Sequence, residues 1–318
     1  MVGNIKTIFL TSKDHPEIAK AEIEIQTNCK IKQLDEGLFS GIPKQIPSAN
    51  NFGYVKKIFL LKKEFKQENF LKDLSDEDIN NSYKINIIKN SYSKKQKLSE
   101  KEIADKIFKK LSNPKVNLSN PDNNYYLLFL EKNILLLELL DENKDKTNLR
   151  KSHNNIHNHP TSMDPKLAKA LINISGEQTF HDPFCGTGGI VIEGCLQGKQ
   201  ASGSDIAGGL IAKARINAEK YSLKPKFYKK DALEIEGKFP ALITDLPYGR
   251  NSSLSEDLND LYKKFFEKSQ TLTNKLIIGM MSSTKHNSLI KNTSWKIKYE
   301  FIIYVHKTLS RKMLILEK

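Results

Sequence analysis

Cysteine is scarce in this chain of 318 residues: Cys29, Cys185 and Cys195 are the only three. An odd number in no paired pattern excludes a disulfide framework and fits a reducing cytoplasm. No run is long and apolar enough to cross a bilayer, which excludes a helical membrane protein. The first residues, MVGNIKTIFLTSK, lack the apolar core and cleavage site of a secretory signal, so the expected location is cytoplasmic. No internal repeat is found.

Positive charge is plentiful. The formal net charge is +14. From residue 161 onward, 24 Lys and Arg stand against 16 Asp and Glu, and the remainder carries 27 against 21. Both halves are basic, so the charge is not a tail. A basic surface on both parts fits a polyanionic partner, most simply nucleic acid; a lysine-rich proteome is the plainer explanation.

The first half reads as α+β. IKTIFLT is a strand, and DHPEIAKAEIEIQ is a helix capped by Asp14 with Pro16 in its first turn. YKINIIKN alternates as a strand. Ser99 is placed to cap a helix whose Ile103, Ile107 and Leu111 share a face. NYYLLFLEKNILLLELL is a hairpin around Glu131, Lys132 and Asn133. Asp141 to His159 has almost no apolar content and reads as an interdomain connector. Strands and helices then alternate up to KLIIGMM, and the end is two strands with no helix between. That order predicts a parallel doubly wound sheet with an antiparallel terminal hairpin.

Two stretches carry chemistry. In DPFCGTGG, Gly186, Gly188 and Gly189 lie between a strand and a helix, where open α/β sheets bind nucleotides. The spacing is not the dinucleotide fingerprint G-x-G-x-x-G. Asp205 ends the second strand, where a carboxylate can take both hydroxyls of a ribose. Asp231 ends the third and can meet an adenine amino group. Asp182, before the loop, suits a cationic cofactor such as S-adenosylmethionine and repels a pyrophosphate. The plainer alternative is that all three acids cap strand ends.

The second stretch is TDLPYGR, Thr244 to Arg250. Asp245 and a neighbouring backbone carbonyl can accept two hydrogen bonds from the exocyclic NH2 of a base. This draws the nitrogen lone pair out of conjugation. Pro247 stiffens the turn so that the Leu246 carbonyl points into the site. Tyr248 is expected to offer an exposed face for stacking a flipped base. Arg250 can touch a phosphate or simply lie on the surface.

DLPY resembles the Asp/Asn-Pro-Pro-Tyr motif of amino methyltransferases, and DPFCGTGGIVIEG resembles their cofactor motif. HPTSMDPKLAKALINI, DHPEIAKAEI and VHKTLSRK resemble one family, the archaeal tRNA guanine-N2 methyltransferases that act on position ten. The resemblance covers nearly the whole chain. It implies a class I, Rossmann-like methyltransferase sheet preceded by α+β N-terminal and THUMP domains. The implied division is 1–60 for the N-terminal domain and 61–145 for a THUMP-like module that binds RNA. A connector follows over 146–160, and the methyltransferase domain occupies 161–318. By resemblance Asp245, Leu246, Pro247 and Tyr248 hold the target base. Asp182, Gly186, Gly188, Asp205 and Asp231 match the cofactor side, and Thr161 and Ser162 close over its methionine portion. The implied cofactor is S-adenosylmethionine and the implied partner tRNA, not DNA. The family has proline where Leu246 stands, and an arginine- and aromatic-rich segment where this chain has NNIHN.

Cys185 sits in the glycine loop, and a small packing residue is its expected role rather than a nucleophile. His153, His157, His159 and His181 have no accompanying cysteine pair, so no metal is expected. Tyr125 and Tyr126 belong to an apolar strand and read as core. Two other functions stay open from the sequence: a DNA adenine-N6 methyltransferase, which needs the same clamp, and a non-catalytic RNA-binding protein with a decayed methyltransferase fold.

Overall fold

The structure is a computed structural model that describes residues 5–97, 99–151, 154–157, 162–248, 256–306 and 309–318. Contacts divide the chain into two compact units, Met1–Lys144 and Asp145–Lys318.

In chain order the first unit contains β1 (Thr7–Thr11), α1 (Pro16–Thr27), β2 (Lys32–Asp35), β3 (Leu38–Gly41), β4 (Val55–Lys66) and α2 (Phe70–Asp73). There follow β5 (Tyr83–Ile87), α3 (Ser91–Lys95), α4 (Glu100–Lys110), β6 (Asn123–Phe129) and β7 (Asn133–Glu142). One seven-stranded sheet runs in the order β2-β3-β1-β4-β7-β6-β5. Its pairs are antiparallel except β5 with β6. Successive residues of a strand face opposite ways. Thus Leu127 and Leu136 join a core with Phe65, Phe70, Ile107 and Tyr125. Their neighbours Leu128, Leu135 and Leu137 join Ile8, Leu38 and Phe59 in another.

The expected hairpin forms around residues 131–133. Ser99 caps α4, with its hydroxyl accepting from the Glu102 amide. Asp14 does not cap α1: its carboxylate accepts from Ser12, while His15 occupies the cap and Pro16 the first turn. The division drawn at residue 60 falls inside β4, which is continuous through it.

The second unit contains α5 (Pro165–Ser175), β8 (Thr179–Asp182), α6 (Gly189–Leu196), β9 (Gln200–Asp205), α7 (Gly208–Glu219), β10 (Lys226–Lys229) and β11 (Ala241–Asp245). It ends with α8 (Glu256–Leu272), β12 (Lys275–Met281), α9 (His286–Ile290), β13 (Lys296–His306) and β14 (Leu309–Glu317). The strand order is β10-β9-β8-β11-β12-β14-β13. The first five strands are parallel, and β14 inserts antiparallel between β12 and β13. The runs ALIT, LIIGMM and MLIL are apolar on consecutive positions because their strands are covered on both faces. The chain steps outward from β8 to β10 and returns to lay β11 beside β8. The switch point therefore lies between Asp182 and Asp245, at the carboxyl ends of those strands.

The connector differs from expectation. Asp141 and Glu142 belong to β7. Asp145 to Arg150 is fastened into the second unit. Arg150 donates to Asp145 at 2.7 and 3.0 Å and to Glu193 on α6 at 2.6 and 3.0 Å, and Lys169 on α5 pairs with Asp145. Farther along, His157 and Asn217 of α7 exchange two backbone–side-chain hydrogen bonds at 2.9 and 3.0 Å. Two cations and two carboxylates that neutralise one another hold a polar segment in place without apolar side chains. Among the described residues, no helix is long and apolar enough to cross a membrane.

Candidate active site

A cavity of about 400 Å³ opens at the switch point. It is lined by the glycine loop, by Ser162 and Met163 ahead of α5, by Asp205 to Ala207 after β9, and by Asp245, Leu246 and Pro247 after β11. Asp182 also lines it, so three carboxylates face the cavity, and none of its described lining residues is basic.

The glycine loop takes the shape its sequence requires. Gly186 and Gly188 have φ of +51° and +86°, a region that disfavours side chains. A Cβ on Gly188 would meet Phe227 at 2.9 Å and Ala214 at 3.1 Å, so this glycine packs the loop against β10 and α7. A Cβ on Gly186 or Gly189 would meet nothing within 4 Å, which leaves the cavity wall open there. Asp205 holds the loop: its oxygens accept from the amides of Gly186 at 3.0 Å and Ala207 at 2.9 Å, one bond each.

Asp182 is 1% exposed and accepts from Thr244 Oγ1 at 2.6 Å, across the switch point, and from the Phe184 amide at 3.1 Å. Burial pushes its carboxyl up to about 7; those two hydrogen bonds oppose the shift, and the charges of Asp205 and Asp245 add to it. Asp231 is not among the lining residues; its carboxylate accepts from the Leu233 amide at 2.9 Å and closes a turn. Thr161 lies outside the described residues, as do Arg250, His153 and His159.

The turn after β11 differs from expectation at Tyr248. Its ring is 8% exposed, not a free stacking face. Its hydroxyl donates to Asp245 Oδ1 and accepts from Arg311 Nε at 2.6 Å. Arg311 also reaches Asp245 Oδ2 at 2.8 Å, and its guanidinium lies 5.6 Å from the Tyr248 ring centre. A ring joined to two buried partners through its hydroxyl is drawn inward. Burial raises the Asp245 carboxyl, and Arg311 and the Tyr248 hydroxyl oppose that shift. On the other side of the turn, Tyr262 of α8 donates to the Pro247 carbonyl at 2.5 Å. Leu246 buries its side chain in the core of Tyr262, Phe265 and Leu314. Its amide bonds to Gly279 O at 2.9 Å, and among the described residues none donates to its carbonyl.

Two residues that matter here received no role from the sequence. Arg311 stands in VHKTLSRK, ahead of the apolar MLIL run, and a cation at the mouth of a buried strand asks for a partner. Gly279 interrupts the strand KLIIGMM, and a lone glycine in a strand marks a close approach. A Cβ there would fall 2.1 Å from Asp245 Oδ1.

Cys185 is buried, and burial pushes its thiol far above the range in which a thiolate forms, so it packs the loop. His181 bonds Ser202 and Ser204 through its two ring nitrogens at 2.8 and 3.0 Å, and burial holds its pKa down to about 4. It is a satisfied core histidine. Tyr125 is fully buried, and Tyr126 is half-buried.

A protein from Pyrococcus abyssi named tRNA (guanine(10)-N2)-dimethyltransferase is 31% identical over 211 residues, 64% of each chain. One of the same name from Methanothermobacter thermautotrophicus is 28% identical over 201 residues, 60% of each. The chain thus spans about three-fifths of the length of these relatives. The solved structure of TrmN from Thermus thermophilus matches 98% of this chain and 99% of its own, with a TM-score of 0.54 at 15% identity, a likeness of fold. A family described as DNA methylase matches residues 7–215, a span that includes the glycine loop and stops short of Asp245. The family described as RMKL-like, methyltransferase domain, matches residues 153–311, which include both the glycine loop and the Asp-Leu-Pro-Tyr turn. The chain belongs to this family of methyltransferase domains.

Proposed function

We propose that the protein transfers a methyl group from S-adenosylmethionine to the exocyclic N2 of a guanine in tRNA, at position ten by likeness to its relatives. The observation that carries this reading is that Asp245 and Leu246 line one pocket with the glycine loop, a pocket with three carboxylates and no basic residue among its described lining. Such a lining suits a sulfonium and an ammonium and disfavours a polyphosphate. The open wall at Gly186 and Gly189 gives a flat ligand room against the backbone.

When bound, the cofactor supplies an electrophilic methyl group. The chain's own residues do the rest. Asp205 keeps an acceptor position on each oxygen for ribose hydroxyls, since each already takes one amide. Asp182 faces the cationic portion, with Ser162 and Met163 beside it in the lining. Asp245 and the Leu246 carbonyl accept the two N–H bonds of the target amine, which aims its lone pair at the methyl. The amine's surplus proton leaves along its bond to Asp245. Tyr248 serves first as a hydrogen-bonded support for Asp245; its face reaches a base only if the turn opens.

Residues 61–145, all but the last of them in the first unit, are proposed as the THUMP-like RNA-binding module and residues 1–60 as the N-terminal part. One core draws only on residues between Phe65 and Leu136, while the other joins Ile8, Leu38 and Phe59 to Leu128, Leu135 and Leu137 across the division. The cytoplasm is the proposed location. The DNA methylase match over residues 7–215 favours a second reading, adenine-N6 methylation of DNA; it does not reach the clamp, which would serve that amine equally. Nucleoside mass spectrometry after incubation with cofactor and either tRNA or duplex DNA separates the two. N2-methylguanosine is the expected product. Methyl on adenine-N6 overturns the tRNA reading, and failure to bind S-adenosylmethionine in calorimetry overturns catalysis altogether.

A further inference from the structure

We propose that Arg311 is a positioning residue for methyl transfer: it fixes both oxygens of Asp245, one directly and one through Tyr248. The inference rests on the reading of Asp245 as the amine clamp. The terminal torsion of an aspartate is broad and two-fold. An aspartate held at one point, or at none, does not aim its lone pairs. Here Oδ2 takes the Arg311 guanidinium at 2.8 Å, and Oδ1 takes the Tyr248 hydroxyl. That hydroxyl is itself held by Arg311 Nε at 2.6 Å. A single planar guanidinium therefore sets the carboxylate's position and its rotation together. The lone pairs left over are the ones available to an amine.

Among the described residues, Arg311 meets the cavity's residues through Asp245 and Tyr248. Its side chain is 3% exposed and does not line the cavity. It stands opposite Met281, the last residue of β12, and Ile303 on β13, at the end of the sheet where β11 closes on Asp245. Among the described residues, the charged and titratable groups coupled to Asp245 come from four elements. Asp182 faces it from β8, Tyr248 from its own turn, Tyr262 from α8 and Arg311 from β14. Arg311 is the only cation among these four. The antiparallel hairpin thus does more than cover the edge of a parallel sheet: its inner strand delivers the counter-ion to the site. A purely structural arginine would stabilise the same burial without controlling the direction of the Asp245 lone pairs, and the two roles separate by experiment.

The test compares Arg311→Met, Arg311→Lys, Asp245→Asn and the double variant Arg311→Met with Asp245→Asn. Single-turnover methylation of tRNA is followed across pH, cofactor affinity by calorimetry, and the aspartate carboxyl carbons by NMR titration. Arg311→Met is expected to lower the rate about a hundredfold at neutral pH, comparable to loss of a preorganising group, with cofactor affinity within about threefold. Its rate should recover as pH rises, and the Asp245 carboxyl should titrate higher than in the parent. Arg311→Lys should retain more activity but not reach the parent, since an ammonium cannot bond both partners in one plane. In the Asp245→Asn background the further loss from Arg311→Met should be under about threefold, because the two residues act as a unit. If the two losses multiply in the double variant, Arg311 acts elsewhere and the proposal is wrong. It is equally wrong if Asp245 titrates alike in Arg311→Met and the parent. Should Arg311→Met not fold, the neutral double variant and Arg311→Lys still decide the question. An inactive parent would overturn the tRNA reading instead, and the carboxyl titration would still judge Arg311.

Discussion

Gly279→Ala adds one methyl group to β12 and tests the site from its floor. The new Cβ would stand 2.1 Å from Asp245 Oδ1 and 3.0 Å from Met313 Sδ. Ordinary contact begins near 3.4 Å, so the carboxylate must retreat by about 1.3 Å. Met313 is fully buried and cannot yield in its place. A retreat of that size breaks the 2.8 Å bond to Arg311 or the bond from Tyr248. Displacing a reacting group by about 1 Å costs on the order of a hundredfold in rate, and overpacking a core costs about 1–3 kcal/mol in stability. Both are measurable independently. The chain has one tryptophan, Trp295, buried in the core of the second unit, with its indole N–H on Phe266 O and Ser269 Oγ. Its fluorescence in urea reports unfolding of that unit alone. Single-turnover methylation reports the clamp, and calorimetry reports the cofactor pocket. The expected pattern is a rate lowered about a hundredfold, stability lowered within the stated range and cofactor affinity little changed. A rate within threefold of the parent would show that Asp245 is not held where the reaction needs it.

Asp245→Ala should lose at least about a hundredfold in methyl transfer and, by leaving Arg311 buried without its carboxylate, about 3–5 kcal/mol of stability. Asp245→Asn should do less harm on both counts; equal damage to the rate would make Asp245 a strong base rather than a clamp. Asp182 has a folded pKa raised from 3.8 to about 7, so the stability it contributes is full below the unfolded value and is lost as pH rises through about 7. A cationic cofactor prefers the ionised form. Its affinity in calorimetry should therefore climb between about pH 5.5 and 7.5 and level off, and an identical climb in Asp182→Asn would refute the assignment. A fragment of residues 145–318 should be more stable in urea than one of 161–318 by about 1.5–3 kcal/mol, because the shorter one loses the charged hydrogen bonds of Arg150 to Glu193 and of Asp145 to Lys169. Equal midpoints would mean that the ion network is ornamental.

What could be read from the sequence was local. The alternation of apolar runs with amphipathic helices gave the parallel sheet, because each element carries its own period. The acids at strand ends were visible because a carboxylate just past an apolar run has no packing reason to be there. Four-residue strands such as KQLD and LFSG carry too few positions to show a period, and β2 and β3 were missed. Tyr248 was misjudged for a different reason. An aromatic ring next to a turn reads as exposed, but its hydroxyl partner is 63 residues away, on a strand whose place beside β12 is decided by the whole sheet. The connector failed the same way: polarity was visible, but the pairing of its charges with Lys169 and Glu193 was not.

Leu246 shows how a departure from a family pattern is absorbed. The motif it resembles has proline there, and the proposed clamp asks two things of the position. The side chain must fill a core shared with Tyr262, Phe265 and Leu314, where it is 1% exposed. The backbone must present its carbonyl beside Asp245 at the cavity. Leucine satisfies the first through its volume, and it gains an amide that bonds to Gly279 O at 2.9 Å, which proline lacks. The stiffness that a first proline would supply is replaced by that bond on one side and by the Tyr262 bond to Pro247 O on the other. The turn is held by these two hydrogen bonds, and in the proposed clamp the carbonyl that receives the amine belongs to the backbone, whatever the side chain.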